Sequence, residues 1–116
     1  MAAERARLLS ALADLDRTMA ETQLVLSDAG TTGGTFRDRI SDGIAVAEAF
    51  PDMATPWAAV ARQLDVLERA RHEVRTAVFA LGLAEGMSIG ELGRLYGFSR
   101  QLAARVAREA RQDESG

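Results

Sequence analysis

The sequence predicts an all-α protein. Long N-terminal helices form a dimerising helical bundle or a coiled-coil hairpin, and a compact pair of short helices follows them. Three observations carry this prediction. Apolar residues recur at three- and four-residue spacing along most of the chain. Alternation with period two is scarce, and the β-branched residues fall inside the helical spacing. Glycines, prolines and Ser, Thr or Asp residues stand where such segments would have to stop and start.

The first helix is expected over residues 2–28. Leu8, Leu12, Leu15, Met19, Thr22 and Leu26 step by four and three, which is an a/d seam. Leu9, Val25 and several alanines widen it, so the helix has apolar surface for more than one neighbour. Asp28-Ala29-Gly30 and the polar run Thr31 to Thr35, which contains Gly33-Gly34, predict a flexible connection. A phosphate-binding loop is excluded there: the run has no Lys, no G-x-x-x-x-G-K-[ST] pattern and no preceding strand.

Phe36 to Phe50 reads as a second, shorter helix, with Phe36, Ile40, Ile44, Ala47 and Phe50 on one face. Gly43 weakens it by about 1 kcal/mol relative to Ala, and Pro51 ends it. Thr55-Pro56 supplies an N-cap and a proline at the first helical position of a third helix, which runs to about Ala84. Trp57, Val60, Leu64, Leu67, Arg71, Val74, Val78 and Leu81 form its seam. Arg71 interrupts that seam, either to pair with an acid on a neighbouring helix or to mark a change of packing partner. Trp57 is expected as a core anchor. His72, four residues after Glu68, reads as a partly exposed helix residue.

The densest local signals lie beyond Ala84. Ser88 with Glu91 three residues later makes a capping box. Gly93 is small where a second helix must cross the first. Gly97 suits the positive φ of a tight turn, and Ser99 is a second N-cap. Ile89, Leu92, Leu95, Phe98, Leu102 and Val106 provide an apolar face. Asp113 to Gly116 reads as a flexible polar tail.

The stretch from Gly86 to Val106 resembles the bacterial helix-turn-helix family of DNA-binding transcriptional regulators. Gly93 stands where the family usually has Ala. Gly97-Phe98-Ser99-Arg100-Gln101 is similar to the opening of its recognition helices. The resemblance covers about 40 residues, from His72 to Arg111. One position departs: the family usually has Val or Ile six residues after the turn glycine, and this chain has Ala103, with Leu102 before it. Either the second helix rotates slightly or it packs closer on its partner. Residues 74–111 also resemble the last helical region of sigma factors, which touches promoter DNA and polymerase.

The resemblance implies a second helix, residues 99–108, lying in the major groove of double-stranded DNA. Arg100, Gln101, Ala104 and Arg105 would face the bases. Arg pairs with guanine, Gln with adenine, and Ala touches a thymine methyl. Ser88 and Ser99, at helix N-termini, suit phosphate. Arg94, Arg108 and Arg111 would follow the backbone, and Tyr96 and Phe98 would brace the turn.

Length and composition fit this reading. The chain has 116 residues, enough for one domain or for two small helical parts sharing a long helix. The expected division is a dimerisation or interaction region at 1–70, a helix-turn-helix region at 71–112 and a tail at 113–116. Cysteine is absent, which excludes disulfides and thiol chemistry, and there is one histidine, so neither metal nor cofactor is expected. No apolar run approaches a membrane span and no signal-peptide core is present, so a cytoplasmic, nucleoid-associated location is expected. All 14 basic residues are Arg and alanine is abundant, a bias that suggests the codon usage of a GC-rich bacterial genome. Net charge is −3, but it is unevenly spread. Residues 1–56 carry five arginines against nine acids, or −4, whereas residues 99–111 carry four arginines against Glu109, or +3. Steering depends on the local field, not on the total.

The expected function is therefore a homodimeric transcriptional regulator, a repressor, whose paired second helices read half-sites about 34 Å apart. Leu8, Leu12, Leu15, Met19, Leu26, Trp57, Val60, Leu64 and Leu67 are the candidate dimerisation residues, although their seams fit packing within one chain equally well. The alternative is a protein-interaction module whose N-terminal helices bind a sigma factor, RNA polymerase or another regulator. An enzyme is not expected: the sequence holds no nucleophile–base pair, metal constellation or nucleotide loop, and acids such as Asp14 and Asp16 read as solvated.

Overall fold

In a computed structural model the backbone of residues 1–115 and the side chains of residues 1–112 are described. The described chain is all-helical, with α1 (Ala2–Ser41), α2 (Val46–Ala49), α3 (Ala54–Ala84), α4 (Ile89–Tyr96) and α5 (Arg100–Ser115). Among the described residues no helix is long and apolar enough to cross a membrane. The chain divides into two compact units: Arg17–Glu68, and Met1–Asp16 together with the chain from Arg69 onward. The first 16 residues thus belong to the same unit as the C-terminal helices. The Arg5 guanidinium meets the Glu85 carboxylate there, 3.1 Å away. Residues 113–115 continue α5 instead of forming a tail, and residue 116 lies outside the described residues.

The largest correction concerns residues 29–41. The expected flexible linker is helical, and α1 runs unbroken through it. Local chemistry accounts for this. The hydroxyls of Thr31, Thr32 and Thr35 donate to the carbonyls of Ser27, Asp28 and Thr31, one turn back, so these side chains do not draw the backbone out of the helix. Packing supplies the rest: Ala29, Thr32 and Phe36 are half-buried, and the rings of Phe36 and Phe50 meet edge to face at 4.5 Å. Gly43 does not weaken a second helix. It ends the first, at φ +83°, where Gly43 N–H donates to Ile40 O and Ile44 N–H to Arg39 O. The expected helix from Phe36 to Phe50 is therefore split, and only the short α2 follows the turn. Its expected face splits too: Ile40, Ile44 and Ala47 are exposed, whereas Ala49 is buried. α3 starts at Ala54, with Asp52, not Thr55, as the capping side chain: Thr55 N–H donates to Asp52 Oδ1 at 3.1 Å. Hydrogen bonds from Thr55 hold the Asp52 carboxyl below its ordinary range.

In the unit Arg17–Glu68, α1 and α3 pack antiparallel. The inward seam of α1 is Thr18, Thr22, Val25, Ala29, Thr32 and Phe36, and that of α3 is Pro56, Val60, Gln63 and Leu67. Thr22 is buried, donates to Thr18 O at 2.7 Å and accepts from Gln63 Nε2 at 2.9 Å. The expected seams are half right. Leu15, Thr22, Val60 and Leu67 do turn inward, but Met19, Leu26, Trp57 and Leu64 are exposed, their places taken by Thr18, Val25, Pro56 and Gln63 one residue earlier. Trp57 is 62% exposed and is not a core anchor.

In the other unit, Leu8, Ala11 and Leu15 of α1 and Ala70, Val74, Ala77 and Leu81 of α3 are buried or half-buried. Its core is Phe79, Ala80, Leu92, Ala103, Val106, Ala107 and Ala110. The alanines set this geometry: a core of small side chains requires the helices to approach closely.

Candidate nucleic-acid interface

α4 starts as the sequence predicts. Glu91 N–H donates to Ser88 Oγ at 3.0 Å and Ser88 N–H donates to Glu91 Oε1 at 3.3 Å, which completes the capping box. It ends at Gly97, φ +71°, where Phe98 N–H donates to Gly93 O at 2.8 Å and Gly97 N–H to Arg94 O. A residue with a Cβ is strained at that φ. Two residues later Ser99 Oγ accepts from Leu102 N–H at 3.2 Å and caps α5. The connection between α4 and α5 is therefore three residues long and fixed at both ends.

Ala103 packs where the two helices cross. A Cβ built on Gly93 would stand 2.9 Å from the Ala103 Cβ. Gly93 and Ala103 are both buried, so two small residues face each other where the helices cross. The close approach of α5 to α4 depends on neither position carrying a branched side chain. Gly82 of α3 makes a similar approach, with the Leu92 side chain filling the place of its missing Cβ. Leu92, Phe98, Leu102 and Val106 turn inward as expected. Leu95 does not: it is 68% exposed, because the buried face of α4 runs through Ile89, Leu92 and Gly93.

Phe98 braces the turn. It stacks on buried Phe79 at 6.2 Å, contacts Tyr96 at 5.0 Å, and lies 5.5 Å beneath the Arg75 guanidinium. Burial raises the Tyr96 hydroxyl pKa above its ordinary value, and the charge of Arg75 opposes that shift.

With Ala103, Val106, Ala107 and Ala110 inward, α5 presents Arg100, Gln101, Ala104, Arg105, Arg108 and Arg111 to solvent. Arg94 and both cap serines are exposed as well. Glu109, the acid in this stretch, is turned away from the arginine face. Its Oε2 lies 2.9 Å from His72 Nε2, an ion-pair distance without the geometry of a hydrogen bond, and His72 Nδ1 lies 2.7 Å from Arg75 Nη2. The histidine expected beside Glu68 thus joins α3 to α5, a relationship that local spacing does not reveal. Among the described residues no carboxylate is paired with Arg100, Arg105 or Arg108.

The two N-termini differ electrostatically. At Ser88 the Glu91 carboxylate already occupies the helix start. At Ser99 the acceptors are a hydroxyl and a carbonyl, which take the N–H groups of Leu102 and Ala103. The α5 N-terminus therefore carries no neutralising carboxylate in its cap, and an anion is favoured there over the α4 N-terminus.

The nine candidate dimerisation residues divide between two surfaces. Leu8, Leu15, Val60 and Leu67 are half-buried inside the chain. Leu12, Met19 and Leu26, seven residues apart on α1, are exposed, as are Trp57 and Leu64, seven apart on α3. No family model, curated protein or solved structure matches this chain.

Proposed function

We propose that the chain is a sequence-specific DNA-binding transcriptional regulator in which α4 and α5 act as a helix-turn-helix. The observation that carries this reading is the outward face of α5. Four arginines and a glutamine project from a helix held rigidly by a capped start and an alanine-lined core, while the one acid of residues 99–111 is turned toward His72, away from that face. From Arg100 to Arg108 this face extends about 12 Å at the α-helical rise, a length comparable with the roughly 12 Å width of the major groove. In this arrangement Arg100, Gln101, Ala104 and Arg105 meet base edges. Ser99 and the α5 N-terminus hold a phosphate, and Arg94, Arg108 and Arg111 follow the backbone. Ser88 is a weaker phosphate ligand than its position suggests, because Glu91 is beside it.

The protein acts as a homodimeric repressor in this reading. Support comes from the stripes Leu12–Met19–Leu26 and Trp57–Leu64, whose spacing of seven matches a helix-to-helix seam and which remain exposed in the single chain. A sigma factor or polymerase helix would use the same stripes in the alternative reading. Recovery of bound fragments from a random duplex library tests the proposal. Two-fold related half-sites, about 10 base pairs apart between centres, should be enriched. Recovery without sequence preference would contradict it.

A further inference from the structure

We propose that the unit Arg17–Glu68 binds a small aromatic carboxylate, of one or two rings, in a cavity of about 310 Å³ between α1, the segment after α2 and the start of α3. The site does not depend on the DNA-binding face of α5, and it shares Trp57 with the dimer stripe proposed above. Phe36 and Phe50 meet at 4.5 Å with their planes 62° apart and form one wall. Trp57 and Met53 line it too, and both are exposed, Trp57 by 62% and Met53 by 42%. Flat aromatic and thioether surfaces of this kind favour a planar ring, and the volume lies at the lower end of ligand pockets, about 300 Å³.

Two residues define the ligand further. Arg37 is the charged residue in the lining, and its Nη2 lies 3.9 Å from where a Cβ on Gly34 would stand. Its guanidinium is thus folded back along α1 over Gly34, next to the cavity residue Gly33, from where it can turn to receive a carboxylate with two parallel hydrogen bonds. Gly33 lines the cavity, and a Cβ added there meets nothing within 4 Å. Its φ is not positive, so neither the backbone nor this chain's own packing requires a glycine inside α1. The open space above Gly33 belongs to the occupant.

Isothermal titration calorimetry of the full chain with benzoate, 2-naphthoate and indole-3-acetate tests this. At least one should bind at one site per chain. The matching neutral amide should bind about tenfold more weakly, as should the acid to Arg37→Gln, the effect of losing a charge-assisted hydrogen bond. Gly33→Met should fill the cavity and abolish binding while circular dichroism shows its helix content retained. Failure of all three acids to bind the native chain overturns the proposal. So does undiminished binding to Gly33→Met. If Gly33→Met instead lowers the mass found by sedimentation, the cavity is filled by a second copy of the chain, and the proposal is also overturned.

Discussion

Gly93 and Ala103 face each other where α4 crosses α5, so closely that a Cβ on the glycine would stand 2.9 Å from the alanine's own. The angle of α5, and with it the direction of its arginine face, depends on this pair of small residues. Neither side can yield by rotating, since the nearest atom is a Cβ fixed to the backbone. Gly93→Ala should therefore destabilise the protein by about 1–3 kcal/mol, the usual cost of overpacking. The double variant Gly93→Ala, Ala103→Gly should recover much of that loss. Chemical denaturation of the two single variants and the double measures the coupling, and strict additivity would show that the two residues do not set the crossing.

Tyr96 links stability to pH. Burial favours its neutral phenol in the folded state and raises its pKa, against the opposing charge of Arg75. A group with a raised folded pKa contributes stability that is complete below its unfolded pKa, about 10, and is lost as pH rises through the folded value. The melting temperature should fall in the alkaline range above that point, and Tyr96→Phe should remove this component of the fall. An identical alkaline profile in the two proteins would place the titrating group elsewhere.

In the proposed homodimer the outward stripes form the contact. Met19 and Leu26 are 49% and 48% exposed in the single chain, so charge at either position leaves the chain's own seam intact. Met19→Glu with Leu26→Glu should convert a dimer to a monomer by sedimentation, with helix content unchanged. A native chain that sediments as a monomer would remove the homodimer from the account.

The sequence was most legible where a residue type has one physical use. The capping box at Ser88, the left-handed Gly97 and the cap at Ser99 all follow from local chemistry, and each has its counterpart in the structure. Legibility failed where two uses compete. Leu12, Met19 and Leu26 read as the buried row because they are larger than Ala11, Thr18 and Val25, yet the smaller row packs inward and the larger stays outside. Both rows lie one residue apart, and a spacing argument weighted by hydrophobicity selects the greasier one. The run Thr31 to Thr35 read as a linker because Gly and Thr are poor helix formers. It is helical because its hydroxyls are satisfied within the helix and its neighbours pack. The contact of His72 with Glu109 spans 37 positions, which no local pattern encodes.

The outward face of α5 is proposed to read DNA. Fluorescence anisotropy of labelled duplex fragments around the chain's own promoter tests this most directly. The native chain and Arg100→Ala with Arg105→Ala are compared at two salt concentrations. The native chain should bind tightly, and its binding should weaken steeply with salt. The double variant should lose at least the roughly 1–3 kcal/mol of one base contact. Binding by the variant as tight as by the native chain, or no binding by either, would contradict this reading.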